Sequence, residues 1–207
     1  MPSHPTLVHP TLVPSSYEGA TLLLACHYGD TSVFNTVQTF ITTHIGIYGG
    51  PDPGSVHSSL VLIPVGIGGC PLQPLGLQAV PLRLGPYTPD VLSPHVRYYD
   101  TGLDAVAIAD VWEWALTQVG GLYDFVGLGL ILSFEIEHRL GLRPDVTRAF
   151  LSSPRATFFC SAFAVTALKR QLPLLAPFRA AVDSAPAWLE QEAIRTGLKR
   201  WRATNLL

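Results

Sequence analysis

Cys160 lies in the stretch ATFFCSAFAVTALKRQ (Ala156 to Gln171), where Thr157, Phe158 and Phe159 lead into the thiol and Ser161 opens an Ala-rich run with helical spacing. A helix that begins here sets the sulfur beside backbone N–H groups with no intrahelical acceptor, at the positive end of the helix dipole. Both favour the thiolate, the reactive form of cysteine, and lower its pKa. A lone cysteine in an apolar helix also serves as a small buried core residue. A nucleophile needs in addition a base within hydrogen-bond reach and a third group that holds the base.

Among the seven histidines, His57 is the candidate base. It heads the β-prone run VHSSLVLI directly after a Gly-Ser turn, so a rigid strand would project its ring. His44, in THIGIYGG, reads as the tail of a helix and is the competitor. His138, among Glu135, Glu137 and Arg139, reads as part of a solvated helix face; His4, His9, His27 and His95 have no context that singles them out. Scattered histidines do not suit a zinc site, and no metal or cofactor is expected. The phosphate-binding, dinucleotide, zinc-peptidase and serine-elbow motifs are missing.

The elements that must position these groups are those of one folded domain. Its 207 residues are 48 % hydrophobic and 14 % charged, enough apolar length for a sizeable core. A net charge of −2 gives no electrostatic case for nucleic acid. The basic residues are lopsided: no Lys or Arg precedes Arg83, and most follow Arg139. Three cysteines without a CxxC spacing do not make a disulfide framework. The start, MPSHPTLVHPTLVPSS, is broken by proline and lacks the positive region of a signal peptide. No apolar run reaches the roughly 18–20 residues of a membrane span. The expectation is a cytoplasmic protein, or one carried in a larger assembly, with apolar surface to spare for a protein partner.

Residues 1–18, with the near-repeat HPTLV, read as an extended arm, and residues 19–207 as a single domain. Ala20 to Cys26 suits a buried strand, Ser32 to His44 a helix, and Gly49 to Gly54 a loop. A strand over Val56 to Ile63 stops at Pro64; Gly66 to Gly76 reads as a turn-rich connection. Leu77 to Leu84 and His95 to Tyr99 are further strand candidates. Leu103, Val106, Ala107, Val111, Trp114, Ala115 and Val119 make one face of a helix that ends at Gly120-Gly121. Asp124 would cap a helix running towards His138, and Pro144 to Pro154 is a loop before the Cys160 helix. A last helix is expected from Pro186 to Trp201. Helix, strands, then mostly helices describe an α+β domain.

The order of these motifs resembles the circularly permuted branch of the NlpC/P60 papain-like cysteine peptidases, in which the histidine strand precedes the cysteine helix. The matching positions are Gly29-Asp30, His57 in SVHSSLVL, Gln78-Ala79-Val80, Gly121-Leu122-Tyr123-Asp124-Phe125 and Phe159-Cys160-Ser161, with Ser184-Ala185-Pro186 as a proline-led closing segment. The resemblance covers residues 20–190 and implies a small antiparallel sheet or barrel packed against helices. It implies Cys160 as nucleophile, His57 as general base and Gln78 in the third position, where permuted members frequently carry Glu. Tyr123, Asp124 and Ser161 would line the substrate cleft, and the Cys160 backbone N–H would donate to an oxyanion. A neutral amide fixes the imidazole tautomer but stabilises an imidazolium less than a carboxylate does. The implied activity is hydrolysis of an amide or peptide bond through a thioester, with bacterial cell-wall peptide as the suggested substrate. Two alternatives stand beside it. Permuted relatives include lipid acyl hydrolases and acyltransferases, for which His44 would be the base, and the scaffold can persist without catalysis in a structural or assembly protein such as a particle component.

Overall fold

The computed structural model describes residues 12–28, 55, 57–66, 68–80, 83–122, 140–141, 160–172 and 186–206. The chain is an α+β protein built on a six-stranded antiparallel sheet: Thr21–His27 (β1), His57–Ile63 (β2), Leu75–Val80 (β3), Arg83–Tyr87 (β4), Val96–Asp100 (β5) and Lys199–Trp201 (β6). The spatial order is β4-β3-β2-β1-β5-β6. Three α-helices accompany it among the described residues, Ala105–Thr117 (α1), Cys160–Leu168 (α2) and Pro186–Arg195 (α3). No helix among the described residues is long and apolar enough to cross a membrane.

The continuous apolar runs of β1 and β2 follow from their central place in the sheet. Leu22 to Cys26 and all of β2 are buried, because both faces of these strands are covered. On one face Leu22, Leu24, Leu60, Leu62, Leu77 and Ala79 meet Trp112 of α1, Phe163 of α2 and Leu189 of α3. On the other, Leu23, Ala25, Val61 and Ile63 pack with Tyr98 and Trp201. The chain reaches this core by Leu12, whose carbonyl accepts from Trp112 Nε1 at 3.0 Å. Residues 1–11 of the expected arm, the expected helix Ser32 to His44, the loop Gly49 to Gly54, the Asp124 helix and the loop Pro144 to Pro154 lie outside the described residues.

Four expectations are corrected. Gly76 lies within β3, paired with Tyr87, and ends no turn-rich connection. A side chain there would overlap the Tyr87 ring, so glycine is what lets the ring lie across the strand. The stretch Leu77 to Leu84 is divided between β3 and β4, which pair from Gly76↔Tyr87 to Val80↔Arg83. β4 contains Gly85 and Pro86, poor strand formers tolerated here because this strand is at the sheet edge. In α1 the buried residues are Ile108, Val111, Trp112, Ala115 and Leu116, while Val106 is 80 % exposed. Apolar residues around most of that helix blurred its period, and Asp104 fixes its start by accepting from the Ala107 N–H at 2.9 Å. The last helix stops at Arg195. Gly197, at φ 84°, turns the chain left-handed, with Leu198 N bonded to Ala193 O and Gly197 N to Ile194 O. The released segment returns to the sheet as β6, against β5.

Replacing Gly76 by Ala is expected to cost about 1–3 kcal/mol in urea-induced unfolding, the usual scale for an overpacked site. Because the cost comes from one overlap, Gly76→Ala combined with Tyr87→Ser should lose less than the sum of the two single changes. Additive losses would place the strain elsewhere.

Candidate active site

Strands β2 and β3 pair only from Leu60↔Leu77 to Leu62↔Leu75. Beyond Leu60 and Leu77 no ladder joins them, although β2 runs back to His57 and β3 on to Val80. The side chains take over across this opening. His57 Nε2 donates to Gln78 Oε1 at 2.9 Å, both residues standing on the sheet face opposite the helices. That bond puts the proton on Nε2; Nδ1 is buried without a hydrogen-bond partner, and it is the ring nitrogen left to exchange a proton with the Cys160 thiol, whose charge acts on the ring.

Cys160 is the first residue of α2, as its sequence context predicts. Backbone amides of Ser161, in the first turn, and Ser58, past the last β2–β3 pair, donate to its sulfur. Burial alone would raise the thiol pKa; the charge of His57, its capacity as a donor and the two amides outweigh burial and hold the pKa below the ordinary thiol value. The converse applies to His57. Its burial favours the neutral ring, but the Cys160 thiolate, as a charge and as an acceptor, and the bond to Gln78 raise its pKa above the ordinary imidazole value. Each group thus favours the charge of the other, and the pair leans towards thiolate and imidazolium. Cys160 is 3 % and His57 6 % exposed, so little water screens them.

The supports of α2 are legible in its contacts. Phe163, Ala164, Ala167 and Leu168 are fully buried in the core. Beyond its C-terminal end, Arg170 grips Asp110 of α1 with two bonds of 2.7 and 3.0 Å, and Gln171 adds a third at 2.8 Å. These partly exposed contacts add little stability but set the angle of the helix.

The structure therefore brings Cys160, His57 and Gln78 together. Ser161 is buried beside the thiol, its hydroxyl without a hydrogen-bond partner. Tyr123, Asp124 and the competing base His44 lie outside the described residues, as does His138. Sequence reasoning missed two polar clusters. His27 stands opposite His57 in the β1–β2 register, and its Nε2 is 2.8 Å from Ser59 Oγ, itself 2.7 Å from the Tyr87 hydroxyl. The alternation of two strands ending in histidine would have placed the rings on one face, had the register been known. Glu190 of α3 is buried and accepts from Tyr28 and Tyr99 hydroxyls at 2.6 and 2.7 Å, with Arg97 at 3.6 Å. No pattern in the sequence marks it. Among the described residues no group of three or more His, Cys, Asp or Glu is placed to hold a metal ion.

The thiols should separate in reactivity. Cys26 is buried, and burial followed by the Glu190 carboxylate pushes its pKa well above the ordinary value. At mildly acidic pH, iodoacetamide followed by peptide mapping should therefore modify Cys160 ahead of the exposed Cys70, and leave Cys26 untouched. His57→Ala should cancel the advantage of Cys160 over Cys70. Faster labelling of Cys70 in the unaltered protein would contradict the charge pairing.

Compared with protein-family models, curated proteins and solved structures, the chain finds no match in any of the three.

Proposed function

We propose that the chain is a cysteine hydrolase that cleaves an amide or peptide bond through a thioester, on a permuted papain-like scaffold of the NlpC/P60 kind. The observation that carries this reading is a helix-start cysteine and a buried imidazole that shift each other's pKa towards the charged forms, with an amide oxygen 2.9 Å from the far ring nitrogen. A buried structural cysteine needs none of these partners. Cys26, in the same protein, has its pKa moved the opposite way.

The reaction follows from the protonation states. The Cys160 thiolate attacks the carbonyl carbon, a C–S bond forms, and the carbonyl oxygen takes the negative charge. The His57 imidazolium gives its Nδ1 proton to the leaving nitrogen, the C–N bond breaks, and a thioester remains. Neutral His57 then takes a proton from water, whose hydroxide attacks the thioester; the thiolate leaves with its charge restored and the imidazolium beside it. The backbone N–H of Cys160, at the helix start, is the assigned oxyanion donor. Gln78 keeps the ring upright through both halves, donating no charge of its own. The substrate is assigned as a peptide, with bacterial cell-wall peptide as the first class to assay.

The test is release of free amine from peptide and cell-wall peptide substrates, with a long-chain acyl ester assayed in parallel. Amine release that Cys160→Ala and His57→Ala each abolish is the expected result. Cleavage of the ester alone would move the protein to lipid acyl chemistry, and no turnover of either with a normal Cys160 labelling rate would favour an assembly role. Gln78→Leu should lower kcat/KM at least about 10²-fold by freeing the ring. Gln78→Glu should move the alkaline limb of the pH–rate profile upward, because a carboxylate holds the imidazolium to higher pH. An unmoved alkaline limb would remove Gln78 from its assigned place.

A further inference from the structure

On the sheet face that carries His57 lies a cleft that the chemistry above does not use. β1 sets His27 opposite His57 of β2, and β5 sets Val96 opposite His27. Residues paired in one row stand on one face, so Val96 lies two strand spacings, about 10 Å, from His57. Val96 belongs to the lining of a cleft of about 210 Å³ formed by β5, β6 and the segments next to them. Its floor is apolar. Tyr98 and Trp201, partners in the β5–β6 ladder, are buried there and meet edge to face with centroids 6.0 Å apart. Leu92, 77 % exposed, stands at the rim.

The rest of the lining is cationic: Arg97, Arg200 and Arg202. Arg97 is already engaged, 3.6 Å from the Glu190 carboxylate and 4.2 Å over the Tyr28 ring. Arg200 and Arg202 are exposed, and among the described residues neither has an ion-pair partner. The carboxylates closest along the chain are bound to backbone amides: Asp90 accepts from Leu92 N–H at 3.1 Å and Asp100 from Gly102 N–H at 2.9 Å. Two guanidinium groups without a counter-charge, beside an apolar floor, suit a ligand that brings a carboxylate on an apolar stem.

We propose that this cleft is a subsite of the active site, holding a carboxylate of the peptide substrate about three residues from the bond that is cut. The proposal rests on the reading of Cys160 and His57 as the hydrolytic pair and narrows its substrate class to acidic peptides. An extended peptide advances about 3.3 Å per residue, so a span of about 10 Å is covered by about three residues. The carboxylate comes from an acidic side chain or from the C-terminus of the peptide; both present the same pair of oxygens to a guanidinium. Charge recognition at this distance from the reacting atoms acts on binding and leaves the chemical step to Cys160 and His57.

The experiment is affinity labelling of Cys160, which needs no turnover. One set of probes is iodoacetyl-Ala-Ala-Glu amide and its Gln counterpart; the other is Glu-Ala-Ala chloromethyl ketone and its Gln counterpart, so that the carboxylate lies on either side of the electrophile. In each case the thiolate forms a C–S bond to the halomethyl carbon and the halide leaves. Each rate is divided by the iodoacetamide rate of the same protein. In at least one set the Glu probe should label Cys160 about 5- to 10-fold faster than the Gln probe, the scale of a charge-assisted pair at a partly exposed site, and high salt should shrink the difference. Arg200→Gln combined with Arg202→Gln should bring the ratio to about 1. Iodoacetyl-Ala-Ala-Ala with a free carboxylate, against its amide, separates the two sources: a preference here equal to that of the Glu probe assigns the chain terminus, and a smaller one the acidic side chain. Equal rates of Glu and Gln probes in both sets, or a preference that survives loss of both arginines, overturn the proposal. The two readings fail separately. If iodoacetamide finds Cys160 no more reactive than Cys70, the hydrolytic pair is absent; if Cys160 is reactive but blind to the carboxylate, only the subsite is lost.

Discussion

A buried thiol and imidazole that shift each other towards their charged forms, with almost no access to water, constrain everything around them. Taking a thiolate or an imidazolium out of water alone is costly, so each persists only with the other in place and with hydrogen bonds to absorb the remaining charge. The Cys160–His57 pair has those bonds: amides of Ser58 and Ser161 at the sulfur and Gln78 at the far side of the ring. Removing any one of them leaves a buried charge short of a partner. The sheet provides this arrangement by an interruption. Where the β2–β3 ladder ends beyond Leu60 and Leu77, the Ser58 amide meets the sulfur and the His57 and Gln78 side chains bond across the opening. A continuous ladder would have consumed that backbone and closed the gap.

The same physics separates the two buried cysteines. Cys26 sits in β1, on the face that packs against the helices, near the Glu190 carboxylate. Cys160 sits at a helix start facing an imidazole. Both are desolvated, so burial does not distinguish them; the sign of the neighbouring charge does. A carboxylate opposes a thiolate and an imidazolium favours one. Around the site, the helix side of the sheet supplies a dry core through Trp112, Phe163 and Leu189, and the opposite face supplies the polar side chains His27, Ser59, Gln78 and Tyr87.

What could be read from the sequence was whatever short-range chemistry decides. The runs LLLAC and LVLI are apolar throughout because they form the middle of the sheet, and their strands are where the sequence places them. The Cys160 helix begins where aromatic residues give way to an Ala-rich run. Bringing Cys160, His57 and Gln78 into one site required more than local preference, and came from the order of motifs. The failures share a cause in tertiary context. Gly85 and Pro86 argue against a strand until an edge position makes them harmless, and Lys199 to Trp201 reads as a helix end until Gly197 redirects the chain against β5. The apolar breadth of α1 hid which face turns inward, and Val106 ended outside. His27 escaped notice because cross-strand register, which sets it against His57, is a property of the sheet and not of either strand alone.

The charge pair can be observed directly, without a substrate. Thiolate absorbs in the ultraviolet where thiol does not, so the difference spectrum between the protein and its Cys160→Ser variant, followed across pH, reports the state of this one sulfur. A thiolate signal that persists well below the free-thiol pKa of about 8.5, and that His57→Ala abolishes at neutral pH, is the predicted result. A signal that appears only near that value and is indifferent to His57 would contradict the account.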